Sequence, residues 1–414
     1  MMIIQRPIVS AVFVLSATIS ATAVHASNAE LQDFFFDACV NPTAGLAARC
    51  AQTTGGLGDL SGDSESSLNP SQTLSSSDAA IHAAQQRGQE LRERLQRGGV
   101  DTADKEGLSL GPFSLLVNAR HVSFEADRQV DADAERSYDG TQRTAELGLD
   151  YRVNENLVVG GWLHWESAEQ SFDREAAGVG FTPFVSEAGS QDSTNTGFTV
   201  YASTGLSEQT YLDASIGYTK LDTDFARFSI FQESTRTADQ TNVVTTGNTD
   251  GDRLSATLNL GISLESKGWQ LSPFAGFTYV KTDFDDYVET DRSASGLNLA
   301  VRGAQRSTLI GQAGFRVSKA ISMQGWVLLP QARVEYVHGF STERAHSSVR
   351  FVNDLNANQF VLRGDNPDAG RVDFAFGVMA LLPNGWMTYL EYQSTASAGD
   401  FDRYQIAAGL RVEL

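Results

Sequence analysis

The C-terminal stretch RVDFAFGVMALLPNGWMTYLEYQSTASAGDFDRYQIAAGLRVEL, residues 371–414, decides the fold. From Arg371 to Leu382 apolar side chains occupy every second position, and a tight turn at 383–385 leads into a second alternating segment. The final segment alternates from Arg403 to Leu414. One apolar face and one face of small and charged residues indicate a strand with lipid on one side and water on the other. Because backbone in lipid must be hydrogen-bonded internally, such strands close into a barrel.

Similar alternation recurs through most of the chain. Together with the three terminal segments it predicts about twelve strands, at 112–124, 141–153, 157–171, 196–204, 209–222, 252–264, 269–281, 307–318, 327–338, 371–382, 386–392 and 403–414. Short turns alternate with long polar loops, at 127–139, 173–192, 223–251, 282–306, 341–370 and 395–402. This pattern is typical of bacterial barrels, whose periplasmic turns are short. The fold class predicted is all-β, a transmembrane outer-membrane β-barrel of antiparallel strands.

Charge and hydropathy exclude some classes of protein. The chain of 414 residues has a net charge of −20, whereas a nucleic-acid partner requires a basic surface. The mean hydropathy of −0.23 is compatible with a barrel, because polar lumen-facing residues dilute the apolar ones.

The N-terminus predicts export. Arg6 precedes an apolar run at 8–24, and Val24-His25-Ala26 fits a cleavage site, so residues 1–26 are predicted to be a signal peptide. The alternative is a membrane anchor, but the apolar run is short and is broken by Ser and Thr. The predicted location is the outer membrane of a Gram-negative bacterium, with the N-terminal segment in the periplasm or at the cell surface.

Between the signal peptide and the first strand, three zones are expected. Cys39 and Cys50 are the only cysteines, and in an oxidising compartment they predict a disulfide closing a small helical hairpin, the alternative being two free thiols. With the Gly/Ser/Asp-rich linker that follows, this zone comprises residues 27–76. Residues 77–105 contain a predicted helix at 78–97 that ends at Gly98-Gly99. This helix has only a thin stripe of apolar residues, so it is expected to lie in water or in a polar tube. Residues 106–414 are predicted to form the barrel domain.

Strand parity predicts which charged side chains point into the lumen. These pore-lining candidates are Arg120, Glu146, Asp150, Arg152, Glu166, Asp213, Arg316, Arg333, Glu335, Asp373, Glu391 and Arg411. They are expected to form a hydrated lumen whose charges complement the arginines of the helix, which are Arg87, Arg92, Arg94 and Arg97. The alternative is a network of wall residues paired with one another.

Several segments in the C-terminal three quarters resemble the β-domain of autotransporters, the translocator unit of type V secretion. They are WQLSPFAGFTY at 269–279, STLIGQAGFRVS at 307–318, GWVLLPQARVEYVH at 325–338, DFAFGVMALLPNGW at 373–386 and AAGLRVEL at 407–414. The resemblance implies a twelve-stranded barrel whose pore holds a helix that links an exported passenger to the first strand. The segment 78–97 occupies the position of that helix.

The chain departs from the family pattern in three ways. Family members usually end in an aromatic residue read by the barrel-assembly machinery, whereas this chain ends in Leu414; Gly409, Val412 and Leu414 are the expected assembly signal. The passenger is very short. The segment 77–108 contains no Asn, so the helix cleavage that some members perform is not expected. Expected partners are outer-membrane lipid, the barrel-assembly machinery and periplasmic chaperones.

No catalytic, cofactor or metal site is predicted, and the protein is not expected to be an enzyme. Gly58-Asp59-Leu60-Ser61 is similar to a lipolytic Ser block, but no Asp-x-x-His motif precedes the barrel to supply a base. Two functions therefore remain open. The first is an autotransporter barrel that displays or exports its own short N-terminal segment, for surface display or adhesion. The second is a stand-alone plugged barrel that acts as a pore or a surface-binding protein.

Overall fold

The computed structural model describes residues 28–53, 68–70, 74, 111–126, 136–173, 187–231, 241–340, 346–363, 370–397 and 401–414. The predicted signal peptide, most of the linker and the predicted pore helix at 78–97 lie outside these ranges.

The described residues contain two α-helices, one short 3-10 helix at Pro383–Gly385 and nineteen strands. The α-helices are α1 (Asn28–Ala38) and α2 (Ala44–Gln52). The strands are β1 (Phe113–Ala126), β2 (Tyr138–Asn154), β3 (Leu157–Asp173), β4 (Glu187–Gly205), β5 (Thr210–Phe231), β6 (Thr241–Ile262), β7 (Leu264–Ser266), β8 (Trp269–Phe284), β9 (Tyr287–Val288), β10 (Thr290–Asp291), β11 (Leu299–Val301), β12 (Gln305–Lys319), β13 (Ile321–Ser322), β14 (Val327–Gly339), β15 (His346–Phe351), β16 (Phe360–Arg363), β17 (Gly370–Leu382), β18 (Trp386–Ser397) and β19 (Phe401–Glu413).

Twelve long strands form one closed antiparallel barrel. Their order is β1-β2-β3-β4-β5-β6-β8-β12-β14-β17-β18-β19, and β19 returns to β1. At the closing seam Ser114 pairs with Glu413, and on the other side of β1 it pairs with Asp150. Closure gives every backbone N–H and C=O in the ladder a partner within the barrel, which is necessary because lipid offers none. The predicted fold class and strand number are confirmed.

The two faces of each strand differ as the alternation predicted. Outward side chains such as Phe376 and Leu390 are more than half exposed, while their neighbours in sequence, among them Ala375 and Glu391, are buried inside. Trp269 and Trp386 begin strands next to short turns and face outward, where an interfacial aromatic belt is expected. The ammonium of Lys319 lies 4.9 Å from the ring centroid of Trp269.

The barrel has a turn end and a loop end. β1 begins at the turn end, where the short connections 155–156, 206–209, 263–268, 320–326 and 383–385 lie, and β19 finishes there. At the loop end the expectation of long polar loops was partly wrong. β5 and β6 stay paired as far as Phe231 and Thr241, and the segments 282–306 and 341–370 contain strands β9 to β11, β15 and β16. Beyond the lipid a strand needs no apolar outer face, so the alternation that identified the membrane segments disappears there.

The N-terminal helices form the predicted disulfide-linked hairpin. Cys39 follows α1, Cys50 lies in α2, and their Cα atoms are 5.6 Å apart across the bond. The disulfide prediction is confirmed. Within the described residues, no helix is long and apolar enough to cross a membrane.

We expect Phe376→Arg to impair barrel assembly strongly. Phe376 is 61 % exposed at the middle of β17, where the outer face meets lipid, and an arginine at mid-membrane costs about 2–4 kcal/mol. The measurement is the fraction of protein in the outer membrane that migrates faster on a gel unheated than boiled. Phe376→Leu is the matched control and should assemble as wild type. Equal assembly of the two variants would show that this face does not meet lipid.

Candidate functional site: a helical hairpin on the loop end of the barrel

A cup of apolar side chains forms at the loop end of the barrel. A small sheet with the strand order β16-β15-β11-β9 continues the wall above β8 and β12, next to the extended ends of β5 and β6. On β5, Phe225 and Phe231 share strand parity with the lumen-facing Asp213 and Thr219, so they point toward the barrel axis. The cup consists of Phe225, Phe231, Val243, Tyr287, Leu297, Leu299, Val301, Ala304, Val349, Phe351 and Leu362.

The helical hairpin packs into this cup. Phe35, Ala38 and Leu46 have no exposed surface, and they belong to one cluster with the cup residues. The Phe34 ring stacks on Phe351 with centroids 4.9 Å apart, and the Phe35 ring lies 5.2 Å from that of Phe231. Each aromatic pair contributes about 0.5–1.5 kcal/mol beyond its area burial.

Two residues of the predicted linker also join the cluster. Leu68 is 5 % exposed and Leu74 has no exposed surface. The linker interpretation was therefore incomplete, because at these positions the chain packs against the loop end rather than lying free in solvent.

The backbones of hairpin and barrel approach each other closely at a pair of glycines. A methyl group at Gly45, at the start of α2, would lie 2.0 Å from the carbonyl oxygen of Ala294. One at Gly296 would lie 1.9 Å from the backbone nitrogen of Leu46, and Gly296 has a φ of +83°. Both positions therefore require glycine for the hairpin to dock as observed.

Polar contacts surround the apolar cluster and fix the orientation of the hairpin. The backbone N–H of Thr43 donates to the carbonyl of Asn353 at 2.9 Å, and its hydroxyl donates to the same oxygen at 3.0 Å. The side-chain amide of Asn358 donates to the backbone carbonyl of Asp37 at 3.1 Å. The backbone N–H of Leu355 donates to the carbonyl of Asn41 at 3.2 Å.

A buried ion pair braces the wall behind the cup. The Arg227 guanidinium donates to both oxygens of Glu289, at 2.8 and 2.5 Å, and to the carbonyl of Leu297 at 2.8 Å. Burial alone would lower the pKa of Arg227, but the Glu289 carboxylate outweighs it, so the pKa lies above its ordinary value. This pair joins β5 to the segment 289–297 that carries Gly296.

Asp291 shapes the turn on which α2 rests. Its carboxylate accepts from the N–H and hydroxyl of Ser293, the hydroxyl of Ser295 and the N–H of Gly296. Burial raises the pKa of Asp291, but these hydrogen bonds together place it below the ordinary value.

The nearby Arg49 of α2 donates to the Thr241 hydroxyl. Burial lowers the pKa of Arg49, and the Asp291 carboxylate acts in the opposite direction.

The lumen holds the charged side chains that strand parity singled out. Eleven of the twelve are buried inside the barrel, namely Arg120, Glu146, Asp150, Glu166, Asp213, Arg316, Arg333, Glu335, Asp373, Glu391 and Arg411. The remaining one, Arg152, is half-buried near the turn end.

Wall residues pair with one another across the lumen face. The Arg333 guanidinium lies 3.3 Å from Glu335 and 3.4 Å from Glu391. Arg120 and Glu146 are 3.9 Å apart, as are Arg411 and Asp150. Removing one partner of a buried pair leaves an uncompensated charge, so these pairs hold the wall side chains in place.

Further lumen residues were not among the candidates. Arg253 donates to Glu166 at 2.9 Å, and Arg403 donates to Asp373 at 3.3 Å. His164, which has no exposed surface, lies 3.0 Å from the Thr219 hydroxyl.

Parity along the final strand would have identified Arg403, because it alternates with Tyr404 as Arg411 does with Val412. No signal in the sequence pointed to the Arg227–Glu289 pair, because β5 was expected to end at residue 222.

The remaining predicted residues differ in what the structure describes of them. Arg87, Arg92, Arg94 and Arg97 lie outside the described residues. Of the assembly-signal residues, Gly409 leaves room for the Tyr389 ring, whose hydroxyl donates to Asn118, and Leu414 is exposed at the turn end. Among the described residues no group of His, Cys, Asp and Glu has the arrangement of a metal site.

Fold and lumen together define an outer-membrane β-barrel of twelve strands with a charged interior. The family model of the autotransporter β-domain matches residues 122–393. The chain belongs to the autotransporter β-domain family, and its barrel resides in the Gram-negative outer membrane.

Solved structures agree on the fold. The translocator domain of the autotransporter NalP from Neisseria meningitidis superposes with a TM-score of 0.56 at 15 % identity, covering 81 % of this chain and 98 % of that one. The β-domain of the Bordetella autotransporter Brka gives a TM-score of 0.50 at 20 % identity, covering 73 % of this chain and 100 % of that one. Comparison with curated protein sequences gives no match.

We expect Glu289→Gln to loosen the loop end while leaving the membrane barrel intact. The substitution leaves the Arg227 charge buried without its counter-ion, which costs on the order of 3 kcal/mol. Limited proteolysis of the purified protein should then cut the segment 285–304 faster than in wild type, with heat-modifiable gel mobility unchanged. Asp285→Asn, at an exposed acid on the same segment, is the control and should be cut at the wild-type rate. Equal cutting of both variants would show that the pair does not brace the cup.

Proposed function

We propose that this protein is an autotransporter barrel that displays its own N-terminal hairpin at the cell surface. The observation that carries the proposal is the position of the hairpin. It packs into the cup at the loop end, whereas β1 begins at the turn end. In bacterial barrels short turns lie in the periplasm and long connections outside the cell. By this rule the hairpin is extracellular.

The topology supports a route through the lumen. Leu74 belongs to the loop-end cluster, and β1 begins at Phe113, so residues 75–112 connect opposite ends of a closed barrel. Lipid surrounds the wall, and a polar, arginine-rich segment does not cross lipid. As a helix, the twenty residues 78–97 would span about 30 Å, which is the thickness of the hydrocarbon core.

The burial of the lumen side chains also supports this route. Eight strands enclose an interior just wide enough for wall side chains to fill, and diameter grows with strand number. A barrel of twelve strands leaves room at its centre, yet Asp213 and Glu335 have no exposed surface and Glu391 is 4 % exposed. A segment running along the axis would fill that room, with its arginines near the wall acids.

Assembly then follows the pathway that the family implies. The signal peptide directs the chain to the periplasm, chaperones there keep it unfolded, and the barrel-assembly machinery reads the C-terminal strand, with Gly409, Val412 and Leu414 as its signal. The role proposed for the displayed hairpin is surface display or adhesion.

The second candidate is a stand-alone plugged barrel that acts as a pore or surface-binding protein. Ion pairs between wall residues, such as Arg253 with Glu166, favour this second candidate, because charges that neutralise one another need no exported segment in the lumen. In that case the hairpin would have no export role, and the lumen would conduct once its plug moved.

We expect the hairpin to be accessible to protease added to intact cells. A site-specific protease sequence inserted between the exposed Val40 and Asn41 should be cut, with the product visible on a gel only after reduction of the Cys39–Cys50 bond. The same insertion between Asn384 and Gly385, in a turn at the opposite end, should be cut only after lysis. Cutting of the turn insertion but not the hairpin insertion on intact cells would reverse the proposed orientation.

We expect deletion of residues 78–97 to raise single-channel conductance in planar bilayers and to lower barrel stability. Without the segment, the centre of the lumen fills with water, and the wall acids lose the opposite charges that stabilise them in a partly dry tube. Deletion of residues 27–53, which removes the hairpin alone, is the control and should leave heat-modifiable mobility unchanged. Wild-type conductance after the first deletion would exclude the segment as the plug.

A further inference from the structure

The hairpin cannot bury its own apolar side chains. It contains only residues 28–53, and folded units of fewer than about 40 residues generally depend on disulfides, metals or a partner for stability. The disulfide fixes how the two helices are joined, but Phe34, Phe35 and Leu46 are covered largely by cup residues. If the hairpin left the cup, these side chains would meet water.

The cup is shaped specifically for this hairpin. Its contacts are an aromatic stack, two glycines whose backbones nearly touch the opposite element, and directed hydrogen bonds at Thr43 and Asp37. Apolar burial supplies attraction, whereas the glycines and hydrogen bonds select one orientation. An apolar centre with shape complementarity and hydrogen bonds at the rim is the arrangement of a stable protein interface.

We propose that the cup is a binding site that retains the hairpin by non-covalent contacts alone. The segment 54–67 connects hairpin and barrel, and a tether of this kind raises the effective concentration of the hairpin near the cup. The contacts are sufficient without that contribution. The hairpin therefore stays on the barrel after the chain between them is cut, and the N-terminal segment is held at the loop end rather than released.

The disulfide contributes to this retention indirectly. It restricts the free hairpin to conformations close to the bound one, so less conformational entropy is lost on docking. Cys50 is 8 % exposed and packs within the cluster itself. Replacing both cysteines by serine should therefore speed dissociation of a cut hairpin without affecting the barrel.

The test uses full-length protein purified in detergent, with a site-specific protease sequence inserted between Gly58 and Asp59. After cutting, the N-terminal fragment of the parent protein should co-elute with the barrel in gel filtration. Gly45→Ala places a methyl group 2.0 Å from the Ala294 oxygen and should weaken retention about a hundredfold, the ratio that corresponds to roughly 3 kcal/mol. Gly339→Ala, at a loop-end glycine with no atom within 4 Å of the added methyl group, is the matched control.

Phe35→Ala provides a second variant in case Gly45→Ala prevents folding, and heat-modifiable mobility verifies the barrel in each. Separation of the parent fragment immediately after cutting would overturn the proposal. Retention of the Gly45→Ala and Phe35→Ala fragments at the parent level would also overturn it. The measurement is made in detergent and does not depend on which end of the barrel faces outward. It can therefore fail while surface display holds, and the reverse is equally possible.

Discussion

Lipid is apolar and offers the backbone no hydrogen-bonding partner, and the rest of this structure depends on that constraint. It requires the first strand to pair with the last, as Ser114 does with Glu413, and it requires an apolar outer face along every membrane segment. Charged side chains then have only the interior available. They are compatible with it because they pair, as Arg333 does with Glu335 and Glu391.

The polarity of the wall inverts where the lipid ends. Along β5, Ile216 and Tyr218 point outward, whereas Phe225 and Phe231 point toward the axis of the same uninterrupted strand. In the membrane the apolar face meets lipid, and above it the apolar face meets the hairpin. One strand therefore serves two environments, and the change of face marks the boundary between the membrane barrel and the cup.

The sequence predicted the membrane part of the fold well because lipid imposes a local, periodic signal. The bounds of β14 and β17 were predicted to within one residue, and parity placed Asp373 and Arg411 correctly on the inner face of their strands. The upper parts of β5 and β6 escaped prediction because neither face there meets lipid. In TNVVTTGNTDGD, residues 241–252, threonine and asparagine fill positions that would be apolar in a membrane segment.

The cup escaped prediction for a different reason. Its contacts join residues far apart in the chain, such as Phe34 with Phe351 and Gly45 with Ala294, and no local pattern records such pairs. The run Phe34-Phe35-Phe36 is apolar, but the sequence does not show which residues cover it. A segment as short as this one has no core of its own, so its stability depends on the surface that receives it. A short N-terminal segment and an elaborated loop end thus form a single structural solution, in which the barrel supplies the core that the hairpin lacks.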